Sequence, residues 1–400
     1  MSTEHETAPE RERDTFEESA EEVRELMASA ELEEDAEDIE SRGAALLGSR
    51  RQVITLVLAV TLLIIAIYVI FPKVVGVGDA VGELDRATWY WVAVAIAFNV
   101  LRFLAYSSLF RGVLSGEHTE SVNERLDMRA SYHITMAGFA ATILFSAAGA
   151  GGVALTYWAL RKAGMERRRA ACRMVAFMVL LYTVYLLTLV VFGVLLRAGV
   201  LHGEHPVGGT IIPAAVAGGL LVILGLVALL PGDFERRLSA FRRRRRLRAA
   251  ATGPATLATG VRTALAYMRH PWRSASAIAG AVGWWAGNIG ILWASFHAFH
   301  VSVPLGVVVQ GYFLGMVANL APSPAAGVGT VDAGLIGAFV LFGIPAVTVF
   351  PAILVFRLIA FWLPIPLGIL SYVQLRRTVQ RWSDEDAGAT IQSEVTAKAT

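Results

Sequence analysis

The sequence predicts an all-α polytopic membrane protein, with about six full transmembrane helices and two re-entrant helical hairpins in an inverted repeat. Three observations carry this. Of 400 residues, 55% are hydrophobic and 17% charged, whereas a soluble domain carries about a quarter charged residues. Several apolar runs reach the ~20 residues that a helix needs to cross a bilayer. Lysine and arginine collect between those runs in a pattern that fixes which ends share a side.

The chain opens on an acidic stretch. Residues 1–40 hold 17 of the 33 acidic groups and three of the 35 basic ones, so the remainder carries 16 acids against 32 bases. Such a segment buries too little apolar surface to fold alone, and residues 1–48 are expected to be a disordered tail. Docking a basic partner is the alternative role. A polar start and a first apolar run too long for a leader argue against a cleavable signal peptide. Cys172 is the single cysteine. Disulfides, cysteine catalysis and zinc-thiolate chemistry are therefore not expected.

Six runs read as crossings: residues 52–71, 89–110, 174–197, 208–231, 275–299 and 347–371. Arg42, Arg50 and Arg51 precede the first, which places the N-terminus in the cytoplasm. The basic stretches 158–173, 232–248 and 376–381 also belong inside, so both termini are expected to be cytoplasmic in a multi-pass protein of the cell (plasma) membrane. Residues 49–378 form the membrane domain. Its basic loop, 232–273, includes an interfacial helix, and 379–400 is expected to be a second disordered tail.

That arrangement leaves two apolar tracts, 132–157 and 304–345, whose ends lie on one side. Both read as re-entrant hairpins, since irregular backbone at membrane depth is tolerated only when buried in protein or lining a cavity. "LAPSPAAGVGTVDAG", residues 320–334, is the expected tip of the second. Pro322 and Pro324 would end its first limb by removing backbone donors. Gly327 and Gly329 would allow the tight turn, and Val331 to Phe342 would form a short second limb. Gly149-Ala-Gly151 resembles Gly327-Val-Gly329, and a glycine follows each pair (Gly164 and Gly343). Broken segments entering from opposite faces mark an inverted repeat with a working site near the midplane; shared glycine-rich composition is the alternative.

Three ionisable residues fall inside the apolar runs: Arg102, Asp332 and Arg357. Charges at that depth are costly and mark function by default. Asp332 and Arg357 would meet if the short limb folds back on the final helix. They would then line a polar cavity or simply lock helices together. Arg102, beside Asn99, either faces the path or snorkels to headgroups. Asn319, with His133, Asn288 and Gln310, either lines the path or bonds between helices. Gly283-x-x-x-Gly287 and Gly311-x-x-x-Gly315 read as helix-packing faces.

Other chemistries find little support. The arginine run 242–246 lacks the aromatic interleaving of a nucleic-acid site and reads as an inside anchor attracted to anionic lipid. His202, His205, His297 and His300 form two loose pairs, too little for a metal site. Phosphate-loop patterns are absent, and no Ser/His/Asp or paired-carboxylate arrangement suggests an enzyme. No cofactor is expected.

Residues 325–368, "AAGVGTVDAGLIGAFVLFGIPAVTVFPAILVFRLIAFWLPIPLG", resemble the signature of the lysylphosphatidylglycerol synthase transmembrane (flippase-like) family. That signature runs from a proline-rich turn through Gly-Gly-x-Gly-x-x-Glu and a short helix. A glycine and an arginine-bearing helix ending in "WLP" follow. Arg357, Trp362, Pro364 and Gly368 occupy the later positions. "SAAGAGGVALTYWALRKAGMERRRA" is similar to the earlier glycine turn and its basic loop. Ala326 stands where the first glycine is usual, Asp332 replaces the glutamate, and residues 174–190 are all uncharged where the family has charges.

The resemblance, over roughly residues 50–378, implies the module that moves aminoacylated phospholipid between leaflets, with no counterpart of the soluble transferase half. It implies an anionic or aminoacylated phospholipid as partner, with a lipid-modifying enzyme as a further partner. An oligomer is compatible with it. The leading expectation is lipid translocation through a polar groove between the hairpins. Asp332 would attract a cationic headgroup portion, and Arg357 or Arg102 a phosphate. The alternatives are a non-catalytic scaffold for a lipid-modifying or glycosyl-transferring enzyme, and a small-solute or ion transporter.

Overall fold

The structure is a computed structural model, and it describes residues 87–114, 120–144, 150–229, 261–264, 274–320 and 329–399, with the isolated positions Ile54 and Leu58. The acidic tail, most of the first expected crossing and almost all of the basic loop lie outside the described residues. Among the described residues every regular element is helical. In order these are α1 (Trp89–Leu114), α2 (Glu120–Arg125), α3 (Met128–Leu144), α4 (Ala150–Lys162), α5 (Arg167–Arg197) and α6 (Ile211–Leu229). The second half has α7 (Ala275–Ala298), α8 (Leu305–Met316), α9 (Thr330–Leu341), α10 (Ala346–Arg357) and α11 (Pro364–Ala399). A 3-10 turn, Val317–Leu320, follows α8, and a π-turn, Leu358–Trp362, joins α10 to α11.

Among the described residues four helical stretches are long and apolar enough to cross a membrane: Trp89–Leu114, Arg169–Arg197, Ala275–Ala298 and Ala346–Gly388. They coincide with four of the expected crossings, and α6 occupies the place of a fifth. By contrast α4, α8 and α9 have 13, 12 and 12 residues. At 1.5 Å per residue they reach about 18–20 Å, short of the ~30 Å hydrocarbon layer.

The centre is the pair α1 and α7, the most extensively packed helices among the described residues. Around it α3 lies along α11, α6 along α5, and α8 against α9 and α5. Glycines make these approaches. A Cβ at Gly280 would stand 2.6 Å from the Ala105 carbonyl oxygen, and one at Gly283 2.7 Å from the Ala105 Cβ. Gly311 faces the Phe339 ring and Gly315 the backbone of Leu335. Both small-residue motifs are therefore packing faces.

The two halves echo one another beyond composition. In each short limb pair a glycine of the second limb abuts a glycine carbonyl of the first. A Cβ at Gly152 would lie 2.6 Å from Gly138 O, and one at Gly334 2.6 Å from Gly315 O. Both second limbs end on a left-handed glycine, Gly164 (φ 96°) and Gly343 (φ 80°). Each end is closed by the paired bonds of a Schellman motif, Met165 N to Leu160 O at 3.1 Å and Ile344 N to Phe339 O at 3.1 Å. The next helices start at Arg167 and Ala346, equally far beyond the two glycines.

The helix geometry changes within the last expected crossing: Pro364 has no N–H to offer the Ala360 carbonyl, and the backbone passes through the π-turn, with Leu363 N bonding Leu358 O at 2.9 Å. Residues 379–399, expected to be a disordered tail, are helical. Helix α11 runs on to Ala399, with Val379 and Trp382 buried. Arg125 forks onto Asp386, donating from Nη2 at 2.5 Å and Nη1 at 3.1 Å. This exposed pair contributes at most about 1 kcal/mol, but it ties two distant segments. Asp386→Asn is expected to speed amide exchange over residues 379–388 and leave exchange in α1 and α7 unchanged. Equal exchange at both places would show that the pair restrains nothing.

Candidate functional site

Helix α8 ends at Met316 and the 3-10 turn that follows it at Leu320. Asn319 and Leu320 are exposed there, Leu320 to 82%. The chain is next described at Gly329, which is also exposed and has φ 86°. Such a conformation costs a residue with a Cβ about 1–2 kcal/mol, so glycine belongs at this N-cap. From here α9 runs back, and its third residue is Asp332.

Asp332 holds two partners at once. One carboxylate oxygen, Oδ2, accepts from the Gly329 backbone N–H at 2.9 Å, the reach-back of a capping box. The other, Oδ1, lies 2.8 Å from Nε of Arg357. The arginine side chain is 6% exposed and the aspartate side chain 28%. The pair therefore has a buried cationic end on α10 and a partly open anionic end at the turn. The Phe361 ring completes it, with its centroid 4.4 Å from the Arg357 guanidinium carbon. The meeting of these two residues was readable from the cost of isolated charges in a membrane.

Arg102 is placed differently. It projects from the middle of α1 and is 2% exposed, so it does not snorkel. Its Nη1 donates to Asn288 Oδ1 on α7, and its Nη2 to the carbonyl oxygen of Ala360 in the π-turn. Asn288 is itself held, its amide donating to Trp284 O at 2.8 Å. The guanidinium is enclosed by the rings of Phe103 at 4.7 Å, Trp284 at 4.9 Å and Phe139 at 5.9 Å. No carboxylate among the described residues pairs with it. Carbonyl dipoles and aromatic faces stabilise this cation instead.

The Ala360 carbonyl is available because of the sequence. In an α-helix its donor would be the N–H of the residue four on, and that residue is Pro364. A proline four residues after a membrane-depth carbonyl is the sequence signal for this contact, beyond its place in the family signature. Phe103, Phe139 and Phe361 form an edge-to-face series (5.4 and 6.5 Å between centroids) linking the surroundings of the two arginines.

Of the remaining expected residues, Gly151 is buried in the first turn of α4. Gly149, Pro322, Pro324 and Gly327 lie outside the described residues. His133, Asn288 and Gln310 are dispersed, and only Asn288 joins an arginine. Gln310 is fully buried, its amide donating to Gly209 O at 3.0 Å. Among the described residues no three His, Cys, Asp or Glu side chains gather as a metal site would need.

The fold and these buried charges define a polytopic helical membrane protein with broken helices around an ion pair. The chain belongs to the family described as lysylphosphatidylglycerol synthase TM region, whose model matches residues 53–368. No curated protein and no solved structure matches the chain.

Proposed function

We propose that this protein is a lipid translocase, moving a phospholipid or modified lipid between leaflets through a polar groove between two re-entrant hairpins. The observation that carries the reading is the Asp332–Arg357 pair at the foot of a broken limb. Its aspartate end is partly open, within a family tied to a lipid-modifying synthase. A headgroup bearing both charges can exchange with such a pair: phosphate takes up the arginine, a cationic portion takes up the aspartate, and the acyl chains stay in lipid. Membership of the family favours an anionic or aminoacylated phospholipid as cargo.

The lengths of α4, α8 and α9 support the re-entrant reading, since helices of about 20 Å end within a ~30 Å layer. The echoed glycine contacts and Schellman ends support an inverted repeat of two units, α1–α6 and α7–α11. On this reading six segments cross, both termini are cytoplasmic, and the protein resides in the plasma membrane. It carries lipid and does not transform it; a lipid-modifying enzyme would supply the cargo.

The test is a flip assay in proteoliposomes, with fluorescent phosphatidylglycerol or its lysylated form and a membrane-impermeant quencher. Protein-dependent quenching beyond the outer-leaflet share is expected for at least one lipid, and its loss in Asp332→Asn. Quenching equal to that of protein-free vesicles with both lipids would remove the support for these cargoes. Full activity in a folded Asp332→Asn protein would remove the pair from the mechanism.

A further inference from the structure

Arg102 offers no face to a passing headgroup in this conformation, yet it retains a charge at the centre of a membrane protein without a carboxylate partner among the described residues. Its cost there needs a return that a leucine would not give. The geometry points to a positioning role: Arg102 is the latch that sets the π-turn and, through it, the aim of Arg357 at Asp332. This deepens the reading of the ion pair as the working site, but it does not depend on which cargo moves.

Pro364 leaves the Ala360 carbonyl without its helical donor, and in a low-dielectric interior such a group is costly unless paired. Arg102 supplies the donor from another helix. Its second arm is fixed by Asn288 on α7, so the carbonyl is held against the α1–α7 pair, the most heavily packed helices among the described residues. The residue after Ala360 is Phe361, whose ring lies against the Arg357 guanidinium. Three residues before Ala360 is Arg357 itself, at the last turn before the π-turn. Fixing one carbonyl thus fixes both the backbone that carries Arg357 and the ring that supports it.

A planar fork suits this task. Arg102 must satisfy two acceptors on separate helices at once, which guanidinium geometry allows and an ammonium on a flexible stem does less well. Gly287 stands opposite because a Cβ there would lie 2.4 Å from the Arg102 Cβ. The small residue keeps α7 close enough for Asn288 to reach the guanidinium.

The test reads the ion pair directly, without any transport step. Dicyclohexylcarbodiimide modifies protonated carboxyl groups in apolar surroundings, and a carboxylate held by an arginine resists it. The full chain in lipid nanodiscs would be treated near neutral pH and modification at Asp332 quantified by peptide mass spectrometry. Arg102→Met is expected to raise modification at Asp332 several-fold, because a carboxylate no longer held by the guanidinium is open to the reagent. Arg102→Lys is expected to lie between. Gly193→Ala serves as the control for general loosening, because its Cβ would press on the Thr210 carbonyl at 2.8 Å, away from the latch; it should lower thermal stability without changing the labelling.

Unchanged labelling in a folded Arg102→Met protein would overturn the proposal, as would an equal rise in Gly193→Ala. If Arg102→Met does not fold, Arg102→Lys decides by the same comparison. A wild-type protein that moves neither lipid while Arg102→Met still raises labelling would remove the support for these cargoes and leave the latch standing.

Discussion

Asp332→Asn is expected to lower the stability of the folded protein by about 2–3 kcal/mol, and Asp332→Asn/Arg357→Gln to recover most of that loss. Removing one member of a buried pair strands the other charge, which costs about 3–5 kcal/mol where both are fully buried. Here Arg357 loses that carboxylate with 6% of its side chain exposed, while the partly open aspartate end lets solvent screen the pair. A cost below that range therefore applies. The aspartate also caps Gly329, and an asparagine oxygen can keep that bond, so the loss isolates the ion pair. Thermal unfolding in detergent, read by intrinsic tryptophan fluorescence, checks this. A single variant as stable as wild type would mean that the charges are not coupled in the folded protein.

The double variant also separates structure from transport. It restores a neutral, foldable site without a cation or an anion, so the proposed mechanism expects it to be stable and inactive. A stable double variant that still flips lipid would show that the pair serves only to join α9 to α10.

Much of this site was legible in the sequence, for a physical reason. A charge at membrane depth is conspicuous against apolar neighbours, and two opposite charges are expected to seek each other, which brought Asp332 and Arg357 together. The crossings α1, α5 and α7 were legible for the same reason, since their apolar runs have the length of a bilayer. Three features were not. Arg357 is the one charge in 347–371, and hydrophobicity does not distinguish a π-turn from an α-turn. The carbonyl that Arg102 meets lies 258 positions away, and a backbone acceptor has no side-chain signature. Residues 379–399 are polar enough to read as a tail. Their helix continues where Val379 and Trp382 are buried and Arg125 grips Asp386, and such distant contacts leave no local periodicity to read.

Gly280→Ala is expected to destabilise the α1–α7 pair by about 2–3 kcal/mol, although alanine is the better helix former. Gly280, Gly283, Gly287 and Gly290 recur at helical spacing on one face of α7, and each meets α1 at less than ordinary contact distance from an added Cβ. At Gly280 the obstacles are backbone: Leu109 N at 2.5 Å and Ala105 O at 2.6 Å. A side chain can rotate away, but the backbone of a long helix moves only as a whole, so one methyl group must separate the helices. In a bilayer that separation is not offset by a hydrophobic gain, because association there rests on close van der Waals packing. Gly219→Ala on α6 is the matched control. No atom lies within 4 Å of its added Cβ, and the same exchange should be neutral or stabilising by up to about 1 kcal/mol. Equal melting temperatures for both variants would show that α1 and α7 do not rely on this contact. A selective loss in Gly280→Ala, with a rise in Asp332 labelling, would tie the packing of the central pair to the aim of the charged one.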